Sequence, residues 1–246
     1  MPTVPLIFLA GLFAGAQNAL AGGGSFVTLG TLVFAGLNPR DANITSTLAL
    51  FPGLITTAYV GSRMAGGIEG LSLKALTIIS VAGGLVGGLL LIATPPTFFA
   101  RLVPWLVLFA TAVFFWGSFL RKSTGAPAAL GARTAAIAQF LIAIYGGYFG
   151  GGIGFLMLAV LTIAGMPVHR AAGTKNVLAM AMNASAFIIF LVTTNVHWRE
   201  AATLGVGSML GGWLGVALLP RVRERPLRIA IIVLGVALTI GLFLRG

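Results

Sequence analysis

Residues 4–37 read VPLIFLAGLFAGAQNALAGGGSFVTLGTLVFAGL, an apolar run of 34 residues with Gly22-Gly23-Gly24 near its middle. Fully helical, such a run would extend about 50 Å, against a bilayer hydrocarbon core of about 30 Å. Glycine costs about 1 kcal/mol relative to alanine inside a helix, so three in succession mark a break. Two arrangements follow. The run is one tilted span, or it is two short helical pieces that meet at the glycines and return to the side where they began.

The same pattern recurs at 134–167, where Gly150-Gly151-Gly152 and Gly154 interrupt a second run of 34 residues. Six further apolar runs, 44–61, 75–94, 102–120, 176–196, 202–219 and 227–244, have the length of single crossings. The composition agrees: 58% of the 246 residues are hydrophobic, 8% are charged, and mean hydropathy is +1.05. A soluble domain carries about 25% charged residues, so this chain lacks the polar surface to solvate a globule. Outer-membrane barrels need alternating segments of about ten residues, which continuous runs do not supply. The fold class is therefore all-α and polytopic. The apolar N-terminal stretch lacks a basic leader region, so it reads as a retained span, not a signal peptide.

Charge arbitrates between the two arrangements. With single crossings, seven basic residues fall on one side and eight on the other. With both long runs doubled back, Arg63, Lys74, Arg121, Lys122, Arg133, Arg170, Lys175, Arg221, Arg223, Arg225 and Arg228 share one side, leaving Arg40, Arg101, Arg199 and Arg245 opposite. The positive-inside rule expects the second distribution, with the richer face cytoplasmic and both termini outside. The net charge of +11 thus reflects topology first and anion attraction second, with no call for a nucleic-acid partner.

The long runs are also related in sequence. Shifting residues 22–49 by 129 places them on 151–178 without a gap, with nine of 28 positions identical, among them Gly23/Gly152, Phe26/Phe155, Gly36/Gly165 and Thr45/Thr174. Gly83, Gly87, Gly88 and Leu90 fall on Gly207, Gly211, Gly212 and Leu214 at a shift of 124. The chain divides into two tandem repeats, 1–121 and 134–246, joined by a linker at 122–133, each opening on a glycine-broken first helix. In the doubled-back arrangement each half crosses an odd number of times, so the halves are inverted. Inverted repeats with broken helices are a recurring plan of secondary transporters, whose substrate site lies at the repeat interface near the midplane.

The segments 11-GLFAGAQNALAGGGSF-26 with 35-AGLNPRDANITST-47, and 146-GGYFGGGIGF-155 with 170-RAAGTKN-176, resemble the TauE/SafE sulfite-exporter family over essentially the whole chain. That resemblance implies a multi-pass permease of the bacterial or archaeal inner (plasma) membrane, with sulfite, sulfonates or related small sulfur-containing anions as substrates.

Candidate site residues group around the breaks. Gly23, Gly24 and Ser25 in the first, and Gly152 and Gly154 in the second, free backbone N–H groups that must meet a cavity or ligand, because unpaired backbone in hydrocarbon costs several kcal/mol. Helix N-termini carry partial positive charge and suit an anion; close helix packing is the competing role of these glycines. Thr45 and Thr174 read as helix N-caps whose hydroxyls could also donate to an anion, with Asn43, Ser46 and Asn176 beside them. Lys175 stands where the first repeat has Ser46. It is either the fixed charge of an anion site or an interfacial lysine reaching the headgroups. Gln17 and Asn18, one turn before the first break, line the path or satisfy the break itself. Gly83/Gly87, Gly84/Gly88 and Gly207/Gly211 read as close-packing faces.

No cysteine is present, His169 and His197 have no companion at metal-ligand spacing, and the carboxylates Asp41, Glu69, Glu200 and Glu224 are expected in loops. No cofactor or metal is called for. A coupled proton would travel on the substrate or through a histidine. The leading reading is a secondary carrier working by alternating access. An anion channel is the first alternative. A membrane-embedded enzyme finds no nucleophile–base pair to support it. The sequence leaves oligomeric state open.

Overall fold

The structure, a computed structural model, describes residues 3–20, 23–120, 130–218 and 224–245. Most of the expected linker, together with Gly22, Arg121, Lys122, Arg221 and Arg223, lies outside the described residues. The chain is an all-α polytopic bundle. The first long run forms α1 (Thr3–Leu20) and α2 (Gly24–Phe34), followed by α3 (Pro39–Ser62), α4 (Leu73–Ala93) and α5 (Pro96–Phe115), which a π-helical turn extends to Leu120. The second forms α6 (Ala132–Tyr148) and α7 (Ile153–Ile163), followed by α8 (Val168–Thr193), α9 (Trp198–Leu218) and α10 (Glu224–Arg245). By length and composition α3, α4, α5 with its extension, and α8 are long and apolar enough to cross a membrane.

Both glycine clusters break the helix, and both reverse the chain. Gly23 and Gly152 take left-handed φ values of 85° and 74°, as do Gly36 and Gly165 at the far ends of α2 and α7 with 104° and 90°. Only glycine adopts that conformation without steric cost. Gly24 lies against Ala14, and Ile153 against Gly146, contacts a continuous helix could not make. The 11 residues of α2 and of α7 rise only about 16 Å, roughly half the hydrocarbon core and shorter than the roughly 20 residues a helical crossing needs.

Glycine faces dictate how the helices pair. Gly11 and Gly15 of α1 lie on Leu204 and Ser208 of α9, while Gly207 and Gly211 of α9 lie on Phe8 and Leu12 of α1. On α4, Gly83 and Gly87 meet α6 at Ala143 and Ile144, and Gly84 and Gly88 meet α8 at Met182 and Ala186. Without Cβ atoms these backbones approach closely enough for dispersion to hold them where no hydrophobic effect operates. The α1–α9 and α4–α6 pairs are parallel. The α3–α8 pair is antiparallel, with Gly61 on Gly173 and Phe51 stacked on Phe187 at 4.5 Å. So is α5–α10, where Thr111 meets Gly235 and Trp105 meets Phe243 at 5.1 Å.

These pairings also sort the loops. Gly66 lies beside Arg170, Gly70 beside Ala132, and Arg228 donates to the Ser118 carbonyl at 3.3 Å, gathering one end of the bundle. At the other end Arg40 donates to the Ile92 carbonyl at 2.8 Å and His197 lies 3.7 Å from Asp41. The first end holds Arg63, Arg133, Arg170 and Arg228, four of the eleven residues expected on the richer basic face; Lys175, also expected there, lies instead against Gly154 of α7.

The carboxylates are not all in loops. Asp41 and Glu200 occupy the first turns of α3 and α9, and Glu224 opens α10, where the helix dipole favours acids; Glu69 alone sits in a turn. Nor do Thr45 and Thr174 cap helices. The helix α3 starts at Pro39, capped by Asn38, and α8 starts after Pro167, because proline at a helix entry is preorganised for the first turn. The Asn38 side chain accepts from the Asp41 amide at 3.0 Å and donates to the Asp41 carboxylate at 2.6 Å. Asn38→Ala is expected to cost about 1 kcal/mol, read as a lowered thermal midpoint in detergent.

Candidate functional site

The two breaks meet. A cavity of about 120 Å³ lies where α2, α7, the C-terminal end of α1 and the middles of α3, α8 and α9 converge. One probe sphere of about 10–15 Å³ holds a water, so this space fits a small ion of several heavy atoms. From the first break it is lined by Asn18, Gly23 and Ser25, and from the second by Gly152, Ile153 and Gly154. The helix α3 adds Asn43 and Ser46, and α8 adds Lys175 and Asn176. No carboxylate is among the lining residues.

Local geometry aims the donors inward. Gly152 ends the reversal in a left-handed conformation and leaves α7 without a side-chain cap. The amides of Ile153 and Gly154 have no helical acceptor, as in any first turn. Against them lies Lys175: a methyl added at Gly154 would stand 3.6 Å from its Nζ. Lys175 makes no ion pair among the described residues. A cation and a helix N-terminus, both positive, thus face one another in a low-dielectric setting, an arrangement that an anion between them would relieve.

The first break is built differently. Asn18 bends back so that its Oδ1 accepts from the Gly24 amide at 2.8 Å, while its side chain still lines the cavity. It therefore satisfies the break and borders the path at once. Thr28 and Ser46 share a hydrogen bond of 2.6 Å that ties α2 to α3, and Asn43 donates to the Tyr148 carbonyl at 3.1 Å.

Four expected site residues lie elsewhere. Gln17 is buried in α1 against Gly23, because neighbours on a helix point about 100° apart and Asn18 takes the cavity side. Gly24 has its amide closed off by Asn18. Thr45 faces a second polar hollow, near Arg40, Asp41 and His197. The Thr174 hydroxyl accepts from the Gly66 amide at 3.0 Å and donates to the Gly66 carbonyl at 3.2 Å, clamping the α3–α4 loop. Thr47, Thr57 and Ser208 border the cavity beyond the expected set, as does Asn183, two turns on from Asn176 on a similar face of α8. Ser208 was hidden within a small-residue packing face; its hydroxyl donates to the Ala49 carbonyl at 3.1 Å.

Comparison with known proteins agrees with this architecture. The chain is 29% identical over 244 residues to "Probable membrane transporter protein ORF9" of Sinorhizobium sp, covering 96% of this chain and 90% of that one. It is 25% identical over 242 residues to a "Probable membrane transporter protein" of Haemophilus influenzae, covering 95% and 92%. It is 26% identical over 237 residues to "Probable membrane transporter protein YfcA" of Escherichia coli K12, covering 95% and 87%. No solved structure matches it. The sequence model described as "Sulfite exporter TauE/SafE" matches residues 7–242, nearly the whole chain, and the protein belongs to that family of membrane transporters.

Proposed function

We propose that the protein is a secondary carrier of small sulfur-containing anions such as sulfite or small sulfonates, in the plasma membrane, with its basic end cytoplasmic. The observation that carries the reading is the cavity: Lys175, the open amides of α7 and the Asn176 carboxamide converge there, and no acid lines it. The family description names a sulfite exporter, which fits a cavity of this size and charge.

Alternating access requires two exchangeable arrangements, and inverted repeats supply them. Support for treating 1–121 and 134–246 as such repeats comes from the pairing of helices. Exchanging α1–α5 with α6–α10 maps α1–α9 onto α6–α4 and α3–α9 onto α8–α4, and it returns α3–α8 and α5–α10 to themselves. Helices at equivalent positions in the two halves, α3 with α8 and α5 with α10, run in opposite directions.

The test is flux into proteoliposomes with sulfite, sulfate, thiosulfate and small sulfonates, with and without a pH gradient. A carrier shows saturable uptake and counterflow of label against an opposing unlabelled gradient. Uptake that does not saturate and shows no counterflow would make the protein a channel. No flux of any of these anions would remove the substrate class.

A further inference from the structure

We propose that the cavity holds a single anion, seated wholly on the second half, and that the Asn18 carboxamide occupies the equivalent seat in the first half as a tethered substitute. This rests on the anion-carrier reading and adds to it which half binds and why the other cannot.

A shift of 129 aligns the two breaks residue by residue, Gly23 on Gly152 and Gly36 on Gly165, with matching left-handed conformations. The polar groups at three aligned positions then differ between the halves. The Gly24 amide is taken by Asn18 Oδ1; its counterpart, Ile153, lines the cavity at a helix start with no side-chain cap. Asn18 aligns with Gly147, which lies on the backbone of Gly84 and has no side chain to offer. Ser46 is bonded to Thr28, and both are buried. The counterparts of Ser46 and Thr28 are Lys175 and Met157, and the buried Met157 thioether has no hydroxyl to offer. Thr47 and its counterpart Asn176 both line the cavity, but the Thr47 hydroxyl bonds back to the Asn43 carbonyl at 3.0 Å.

At these aligned positions the Gly24 amide and the Ser46 hydroxyl are bonded within the protein, whereas Ile153 and Lys175 line the cavity with no such bond among the described residues. An amide oxygen accepting from a helix N-terminus at 2.8 Å stands where an anion oxygen would stand in the other half. Unlike the anion it has no net charge, and its half accordingly needs no lysine. A two-fold architecture thus carries one site, displaced toward α7 and α8.

The experiment is equilibrium dialysis of radiolabelled sulfite against the purified full-length protein in nanodiscs, with chain concentration measured independently. One sulfite per chain is expected, and two per chain would overturn the proposal. No binding at all would instead remove the anion-carrier reading beneath it. Charge transplantation then tests the role of Asn18. Lys175→Ser should weaken binding by about tenfold or more, and adding Ser46→Lys should not restore it. Adding Asn18→Gly to that pair should bring affinity back. Recovery with Ser46→Lys alone would show the first seat to be open. The wild-type stoichiometry decides the matter even where a multiple variant fails to fold.

Discussion

Lys175→Met is expected to reduce saturable sulfite flux by about 100-fold while leaving the protein as stable as wild type or more so. A hydrogen bond to a charged group contributes about 1.5–3 kcal/mol, and each 1.4 kcal/mol is tenfold in affinity, so losing the ammonium alone accounts for a factor of this size. Methionine keeps the apolar stem of the side chain, so packing against Gly154 and α7 is preserved. The stability arm separates the two roles the sequence leaves open for this lysine. A cation held in the interior beside a helix N-terminus, without a carboxylate partner, is a strain on the empty protein. Removing it relieves that strain, so the thermal midpoint in detergent should hold or rise, and the stabilisation that sulfite gives the wild type should vanish. Unchanged flux would return Lys175 to a headgroup role. A clear fall in stability would mean that it holds the fold together, and the anion site would lose its principal charge.

How much of this arrangement was legible in the sequence differs between backbone and side chains. The breaks at Gly23–Gly24 and Gly150–Gly152, the close-packing role of Gly83, Gly87, Gly207 and Gly211, and the grouping of Arg63, Arg133, Arg170 and Arg228 follow from glycine conformational cost and charge placement, both local properties. Each apolar run became one helix or one broken pair. Side-chain direction is another matter. Gln17 and Asn18 are adjacent and chemically alike, and only the phase of α1 sends Asn18 to the cavity and Gln17 away from it. The same phase separates Lys175 from Thr174, and Ser46 from Thr45. That phase is set by where α3 and α8 start. Reading Thr45 and Thr174 as caps placed those starts seven residues late, past the Asn38-Pro39 and Pro167 signals. That one of these two amides satisfies the break was open to the sequence; that Asn18 does so at the Gly24 amide depends on how sharply the chain reverses.

Gly147→Ala and Gly241→Ala make the same chemical change inside a helix and should move stability in opposite directions. At Gly147 a Cβ would stand 2.9 Å from the Gly84 Cα, a backbone atom that cannot turn aside, so α6 must move off α4. Overpacking of this kind costs about 1–3 kcal/mol. At Gly241 nothing lies within 4 Å of the added methyl, and alanine gains up to about 1 kcal/mol of helix propensity over glycine. Thermal unfolding in one detergent, followed by size-exclusion fluorescence, would read both. Shifts of the same sign would mean that propensity outweighs contact, and the glycine seams would lose their standing as what holds the bundle. The consequence reaches the cavity, because α6 runs from the α4 seam straight into the Gly150–Gly152 reversal. Moving it off α4 displaces the open end of α7 relative to Lys175, which α8 holds independently against Gly84 and Gly88 through Met182 and Ala186. Flux in Gly147→Ala should therefore fall further than the loss of folded protein explains, while in Gly241→Ala it should follow the amount of folded protein alone.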